Sequence, residues 1–325
     1  MHVDRRLLGW GLFFILVGGI PLAVRANLLD ASRVSEWANL WPLLLIGWGI
    51  GLLLRNTPVD WVGGAVTAIT FGIMGGGLLA TGISGVPFAT GCTGTGSTTA
   101  FPDRSGELAE TAQVNVDFDC GTLKVGAGDG SSWNLTGADS DGRGPRVTST
   151  TGQVSVDRDD SSGFPGGGRS NWNMTIPRDS NVSLGLTLNA GDGTVDLTGA
   201  MLSSATFTLN AGKLDLNMGA VSRANDVNTT VNAGAAAITL DSGPRSVNLS
   251  LNAGSIQLCV PSGTPLRATW SGTLGSNNFS AAGLTKVDES TWTSSGFDPA
   301  QLHTELHVTA NAGSFELRVG GTCRA

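Results

Sequence analysis

The chain contains no tyrosine, only three histidines and four cysteines, and residues 61–91 hold no Asp, Glu, Lys or Arg. Each scarcity excludes something. With His2, His303 and His307 the only imidazoles, histidine-based acid–base or metal chemistry has one place to form, around His303-Thr304-Glu305-Leu306-His307. On a strand, His303, Glu305 and His307 would share one face while Leu302, Thr304, Leu306 and Val308 take the other, which predicts a solvated strand face. The helical zinc-protease motif fails because Glu305 stands two residues after His303 rather than directly after it. Gly126-Ala127-Gly128-Asp129-Gly130 lacks the lysine and the strand–helix setting of a phosphate loop. Asp157, Asp159 and Asp160 read as a solvated acidic loop rather than a calcium site. The expectation is a protein with no catalytic, cofactor or metal site, and not an enzyme.

Basic charge is also scarce. Lys and Arg total 19 against 26 Asp and Glu. The first 91 residues hold five of the former and four of the latter, so the remainder carries an acidic excess of about eight charges. Nucleic acid is excluded as a partner, because phosphate binding needs a basic surface. Adsorption of this part to anionic lipid is disfavoured for the same reason.

What the first ninety residues do have is apolar length. Runs from about 7 to 24, 40 to 54 and 61 to 86 predict three transmembrane helices, a span needing ~20 apolar residues. Trp10, Trp37, Trp41, Trp48 and Trp61 lie in or beside these runs, mostly near the expected helix ends, where amphipathic rings anchor at the interface. Arg5, Arg6 and the segment Val24-Arg25-Ala26 also have the layout of a cleaved signal, but two further runs follow at once. Ala89-Thr90-Gly91-Cys92 loosely resembles a lipid-attachment box, again after three apolar runs. Glycines 63, 64, 72, 75, 76 and 77 suit close helix packing. With Arg5, Arg6 and Arg55 inside, three spans place residues 89–325 outside the cytoplasm. The bilayer is then the first partner. Cys92, Cys120, Cys259 and Cys323 all fall on that outer side, where two disulfides of undetermined pairing are expected; no two have zinc-motif spacing.

The outer part repeats a phrase. It reads LTLNAGDGTVDL at 186–197, FTLNAGKLDL at 207–216, TTVNAGAAAITL at 229–240, LSLNAGSIQL at 249–258 and VTANAGSFEL at 308–317, with a degenerate copy, VDFDCGTLKV, at 116–125. Apolar residues alternate on both sides of Asn-Ala-Gly, as in strand–turn–strand. The turn residues are Asn189 and Gly191, Asn210 and Gly212, Asn232 and Gly234, Asn252 and Gly254, and Asn311 and Gly313. A period near twenty predicts a single-layer β-solenoid, or β-helix-like repeat, with Asn side chains hydrogen-bonded along the stack. The longer gap before Asn311 is close to three periods. Residues 89–115 read as a linker, 116–325 as the solenoid, 137–170 as containing exposed loops, and 261–299 as an inserted hairpin or irregular rungs.

The phrases GWGLFFILVGGIPLAV and LWPLLLIGWGIGLLLR, with Trp41-Pro42 the most specific part, resemble the transmembrane region of LiaI- and LiaF-like bacterial proteins. MTIPRDSNVSLGLTLNAG and the following repeats resemble the toastrack β-domain, also described as LiaF C-terminal-like or candidate-adhesin, that follows such regions. The resemblance implies a plasma-membrane envelope protein linked to the response to cell-wall antibiotics or membrane disturbance. A sensor kinase, another membrane protein or an envelope ligand would be its partner. The alternative is a structural or adhesive surface protein for which the helices are only an anchor.

Overall fold

The computed structural model describes residues 13–19, 41–53, 66–74, 97–157, 169–222, 225–243 and 245–324. The chain divides into two compact units, residues 1–91 and 92–325. In the first, residues 13–19, Trp41–Leu53 and 66–74 are helical, one stretch inside each apolar run. Glycine brings them together. A Cβ on Gly47 would lie 2.8 Å from the Thr67 hydroxyl, and one on Gly72 would lie 2.9 Å from Leu16 Cβ. Small residues at such crossings let backbones approach. Among the described residues no helix is long and apolar enough to cross a membrane; the expected spans at 7–24, 40–54 and 61–86 extend beyond those residues.

The second unit is all-β. Its strands are β1 (Thr99–Ala100), β2 (Arg104–Glu107), β3 (Thr111–Gly128), β4 (Ser132–Asp139), β5 (Arg146–Thr150), β6 (Gln153–Asp157), β7 (Ser170–Pro177), β8 (Asn181–Asp196) and β9 (Met201–Leu209). They continue as β10 (Lys213–Met218), β11 (Asp226–Val231), β12 (Gly234–Leu240), β13 (Ser246–Leu251), β14 (Gly254–Val260), β15 (Leu266–Asn277), β16 (Thr285–Lys286), β17 (Thr291–Thr293) and β18 (Thr304–Val319).

One rung is a first arm, an Asn-Ala-Gly corner and a second arm. First arms stack in parallel as β3, β8, β9, β11, β13, β18 and β15, and second arms as β3, β8, β10, β12, β14, β18 and β15. Alternate residues of both arms are buried in one cluster: Val114, Leu184, Ala205, Val227, Val247 and Leu306 form one column of the first arm. Val125, Val195, Leu216, Ile238, Leu258 and Leu317 form one of the second. The single layer expected from the repeat is therefore corrected to two arms sharing a core, because each arm exposes one apolar face and the corner lets the two faces cover each other.

Both ends of the stack are built out of chain order. β3 lies between β8 and the later β6 and β7, and β18 lies between the β13–β14 rung and the earlier β15. Antiparallel strands then cover the terminal rungs: β5 on β6, β4 on β7, and β17 on β15. Such additions shorten the open edges that would otherwise recruit other chains. Two boundaries change accordingly. Residues 97–115 are not a bare linker, since β1 and β2 pair with β4 and β3 begins at Thr111. Within 137–170, β5 and β6 form a hairpin on β3.

In the middle of the stack a threonine breaks the apolar pattern. Thr229 stands in register between Phe207 and Leu249, is 1% exposed, and its hydroxyl has no hydrogen-bond partner. Thr229→Val keeps the shape and removes an unsatisfied polar group, so it should raise stability by ~1 kcal/mol. A denaturant midpoint that does not rise would contradict this.

Candidate functional site

The corners make the most regular constellation in the molecule. Gly121, Gly191, Gly212, Gly234, Gly254 and Gly313 all have positive φ, between 111° and 134°. They stack so closely that a Cβ on each of the last five would lie 2.0–2.3 Å from the carbonyl oxygen of the preceding glycine. No other residue fits, on conformation and on space alike.

Beside this column runs an amide ladder. Nδ2 of Asn210 donates to Oδ1 of Asn189 at 2.6 Å, Asn232 to Asn210 at 2.6 Å, Asn252 to Asn232 at 2.6 Å and Asn311 to Asn252 at 2.7 Å. Asn189 closes it by donating to Asp119 at 3.0 Å and Asp117 at 2.8 Å. Every donor points toward the β3 end, where two carboxylates accept, so the amide dipoles align. Burial, followed by the neighbouring charge of Asp119, raises the Asp117 pKa above the usual carboxylate value. The spacing of 59 residues before Asn311 does not hide two further rungs. Asn311 stacks directly on Asn252, because the intervening chain forms the outer rung β15 and the β16–β17 hairpin.

Cys259 and Cys323 form a disulfide that holds the C-terminal segment on the outer face of the second arm, where the Cys323 N–H donates to the Thr239 hydroxyl at 3.0 Å and Ala237 lies beneath. Cys120 is disulfide-bonded as well, and Cys92 lies outside the described residues. Asp159 and Asp160 are also outside them.

The histidines do not converge. His303 Nε2 meets Glu305 Oε1 at 2.7 Å and Nδ1 meets the Gln301 carbonyl at 2.7 Å, whereas His307 Nδ1 meets the Thr269 hydroxyl. Thr304, Leu306 and Val308 point inward, but Leu302 is 81% exposed, because β18 begins only at Thr304. Both ring nitrogens of His303 face acceptors, which only the imidazolium satisfies in full. The Gln301 carbonyl first and the Glu305 carboxylate second raise its pKa. A raised folded-state value gives stability that is complete below the unfolded value of ~6.5 and lost as pH rises through the folded one. His303→Gln should flatten the stability–pH profile across that window; a mutant whose slope matches the wild type there would contradict it.

Two features are not among the expected site residues. Arg245 is buried in an ion pair with Asp241, its Nε donating to the Gly243 carbonyl at 3.2 Å, and burial pushes its pKa down. The outer face of the first arm from β8 to β15 is the second. Its central column is Thr187, Thr208, Thr230, Ser250, Thr309 and Ser271, visible only when the rungs are brought into register.

Comparison with known families decides what this arrangement is. The profile of the LiaF transmembrane domain matches residues 9–103, and that of the N-terminal domain of toast_rack, DUF2154, matches residues 94–241. The chain is thus similar, in order, to a LiaF transmembrane domain and to a toast_rack domain. The toast_rack match ends at the close of β12, and the stack continues through three more rungs to Val319. Among solved structures, the chain is similar to a candidate cell adhesion protein from Clostridium sporogenes, at 14% identity over 67% of this chain and 99% of that one, with a TM-score of 0.42. A candidate adhesin from Bacteroides fragilis is 11% identical over 68% and 98% of the two chains, with a TM-score of 0.30. No curated protein matches the chain.

Proposed function

We propose that this is a non-catalytic protein of the bacterial cell envelope, whose external β-domain reports cell-wall or membrane stress to a partner in the bilayer. The observation that carries the reading is the joining of a LiaF transmembrane domain to a toast_rack domain on one chain. The site geometry is consistent with it. The corner amides bond to one another and His303 is held by Glu305, which suits a rigid presenting surface rather than a reaction centre. Residues 92–325 lie outside the cytoplasm in this account, and the helical unit passes their state to a sensor kinase or another membrane protein.

Deleting the gene should change tolerance to cell-wall antibiotics and the expression of envelope-stress genes, and the full-length protein should co-purify with a membrane signalling protein. Unchanged tolerance and expression, with recovery of wall polymer or self-association alone, would replace the reading by the adhesive one.

A further inference from the structure

We propose that the outer face of the first arm is a binding surface for a neutral, β-linked glycan polymer. The two outer faces of the stack come from the same rungs yet differ in charge. On the second arm Asp192, Asp196, Lys213, Asp215, Glu316 and Arg318 all sit at outward positions. On the first arm, the central column from Thr187 to Ser271 is hydroxyl-bearing at all six rungs and uncharged throughout. The column two residues upstream runs through Gly185, Thr206, Asn228, Asn248, His307 and Thr269, with no Asp, Glu, Lys or Arg and the His307 imidazole, bonded to the Thr269 hydroxyl, as its one ionisable group. Charge returns only at the margins, with Asp226, Glu305 and Arg267 toward the start of the strands and Asp117 at the β3 end.

β-Propensity explains threonine on a strand surface but not this contrast, because the second arm accepts charge at comparable positions in three of the same rungs, those of β8, β10 and β18. In a chain of net charge −7, an uncharged face six rungs long is matched to an uncharged partner. The hydroxyls are also available. Among the described residues none of the six in the central column hydrogen-bonds to the protein, whereas the corner asparagines are bonded to one another. Each hydroxyl can donate and accept, as a sugar hydroxyl requires of its partner. The rungs repeat at ~4.8 Å, so the column presents a row of about 24 Å with a period close to the length of one β-linked sugar residue. A repeating ligand meets a repeating surface, and individually weak contacts sum along it.

The biological setting of this proposal rests on the external placement given above, where glycans are found, but its test does not. Full-length protein in detergent is cosedimented with chitin and with cellulose as probes. Wild-type protein should be retained, and Thr208→Lys/Thr230→Lys, which puts two charges on the face without touching the core, should bind roughly tenfold more weakly. Thr208→Ser/Thr230→Ser should bind as wild type, and Thr194→Lys, on the outer face of the second arm, should too. Absence of retention on both polymers would overturn the proposal, as would retention indifferent to the double lysine or lost equally with Thr194→Lys. Failure here leaves the placement of the domain and its stress role untouched, since those are read by labelling and by gene expression.

Discussion

Gly234→Ala should cost the β-domain about 3 kcal/mol or more, or prevent it from folding. Gly234 has φ +134°, where an L side chain is strained by ~1–3 kcal/mol. Its new Cβ would also lie 2.2 Å from the Gly212 carbonyl oxygen, a backbone atom fixed by the rung below. Relief requires the rungs to part, which breaks the parallel pairing of β10 with β12. Gly126→Ala is the control, for that glycine has nothing within 4 Å of the added carbon, and the change should stay within ~0.5 kcal/mol. Urea denaturation of both variants, followed through near-UV circular dichroism, reads the difference. If Gly234→Ala melted like Gly126→Ala, the stacked corner would be wrong.

Asn232→Asp should destabilise the domain by ~2 kcal/mol at neutral pH and regain much of that below pH ~4. Asn232 donates to Asn210 and accepts from Asn252. The carboxylate keeps the acceptor but loses the donor, and sets a negative oxygen against Asn210 Oδ1. Reversing the lower ladder does not relieve this, because Asn189 would then present its oxygen to Asp117 and Asp119. Protonation restores a donor, so the variant prefers the protonated state when folded and its deficit shrinks as pH falls through that raised value. The comparison is with wild type at each pH. A deficit independent of pH would mean that the ladder has no fixed direction.

The parts of the fold legible in the sequence are those in which neighbouring rungs impose the same demand. A positive-φ corner with a carbonyl 2.0–2.3 Å from the added carbon permits only glycine, so Gly191, Gly212, Gly234 and Gly254 recur visibly, with a donating and accepting amide two residues before each. Where partners are set by space rather than by chain order, the pattern is silent. Nothing between Asn252 and Asn311 announces that β18 slips between β14 and β15, since hydrogen-bonding partners in a stack need not be consecutive. The same holds for β1 and β2, short polar strands in a stretch of linker-like composition, tied to the core only by the single residues Phe101 and Leu108 that follow them. The facing arms follow from alternation in both halves of each phrase, but only the shared burial of residues such as Leu184 and Leu216 reveals that the two faces meet. The hydroxyl column on the first arm is hidden for a related reason. Thr187, Thr208 and Thr230 are each ordinary strand residues, and the row exists only across rungs.

The central claim is that the stacked β-domain lies outside the cytoplasm on a membrane-held chain. It is tested most directly by labelling intact cells with a membrane-impermeant thiol reagent, with and without prior reduction. The account predicts that Cys259 and Cys323, joined in the folded domain, react in intact cells only after reduction. Reaction only after lysis, with the thiols already free, would put the domain in the cytoplasm and contradict both the orientation and the sensing role.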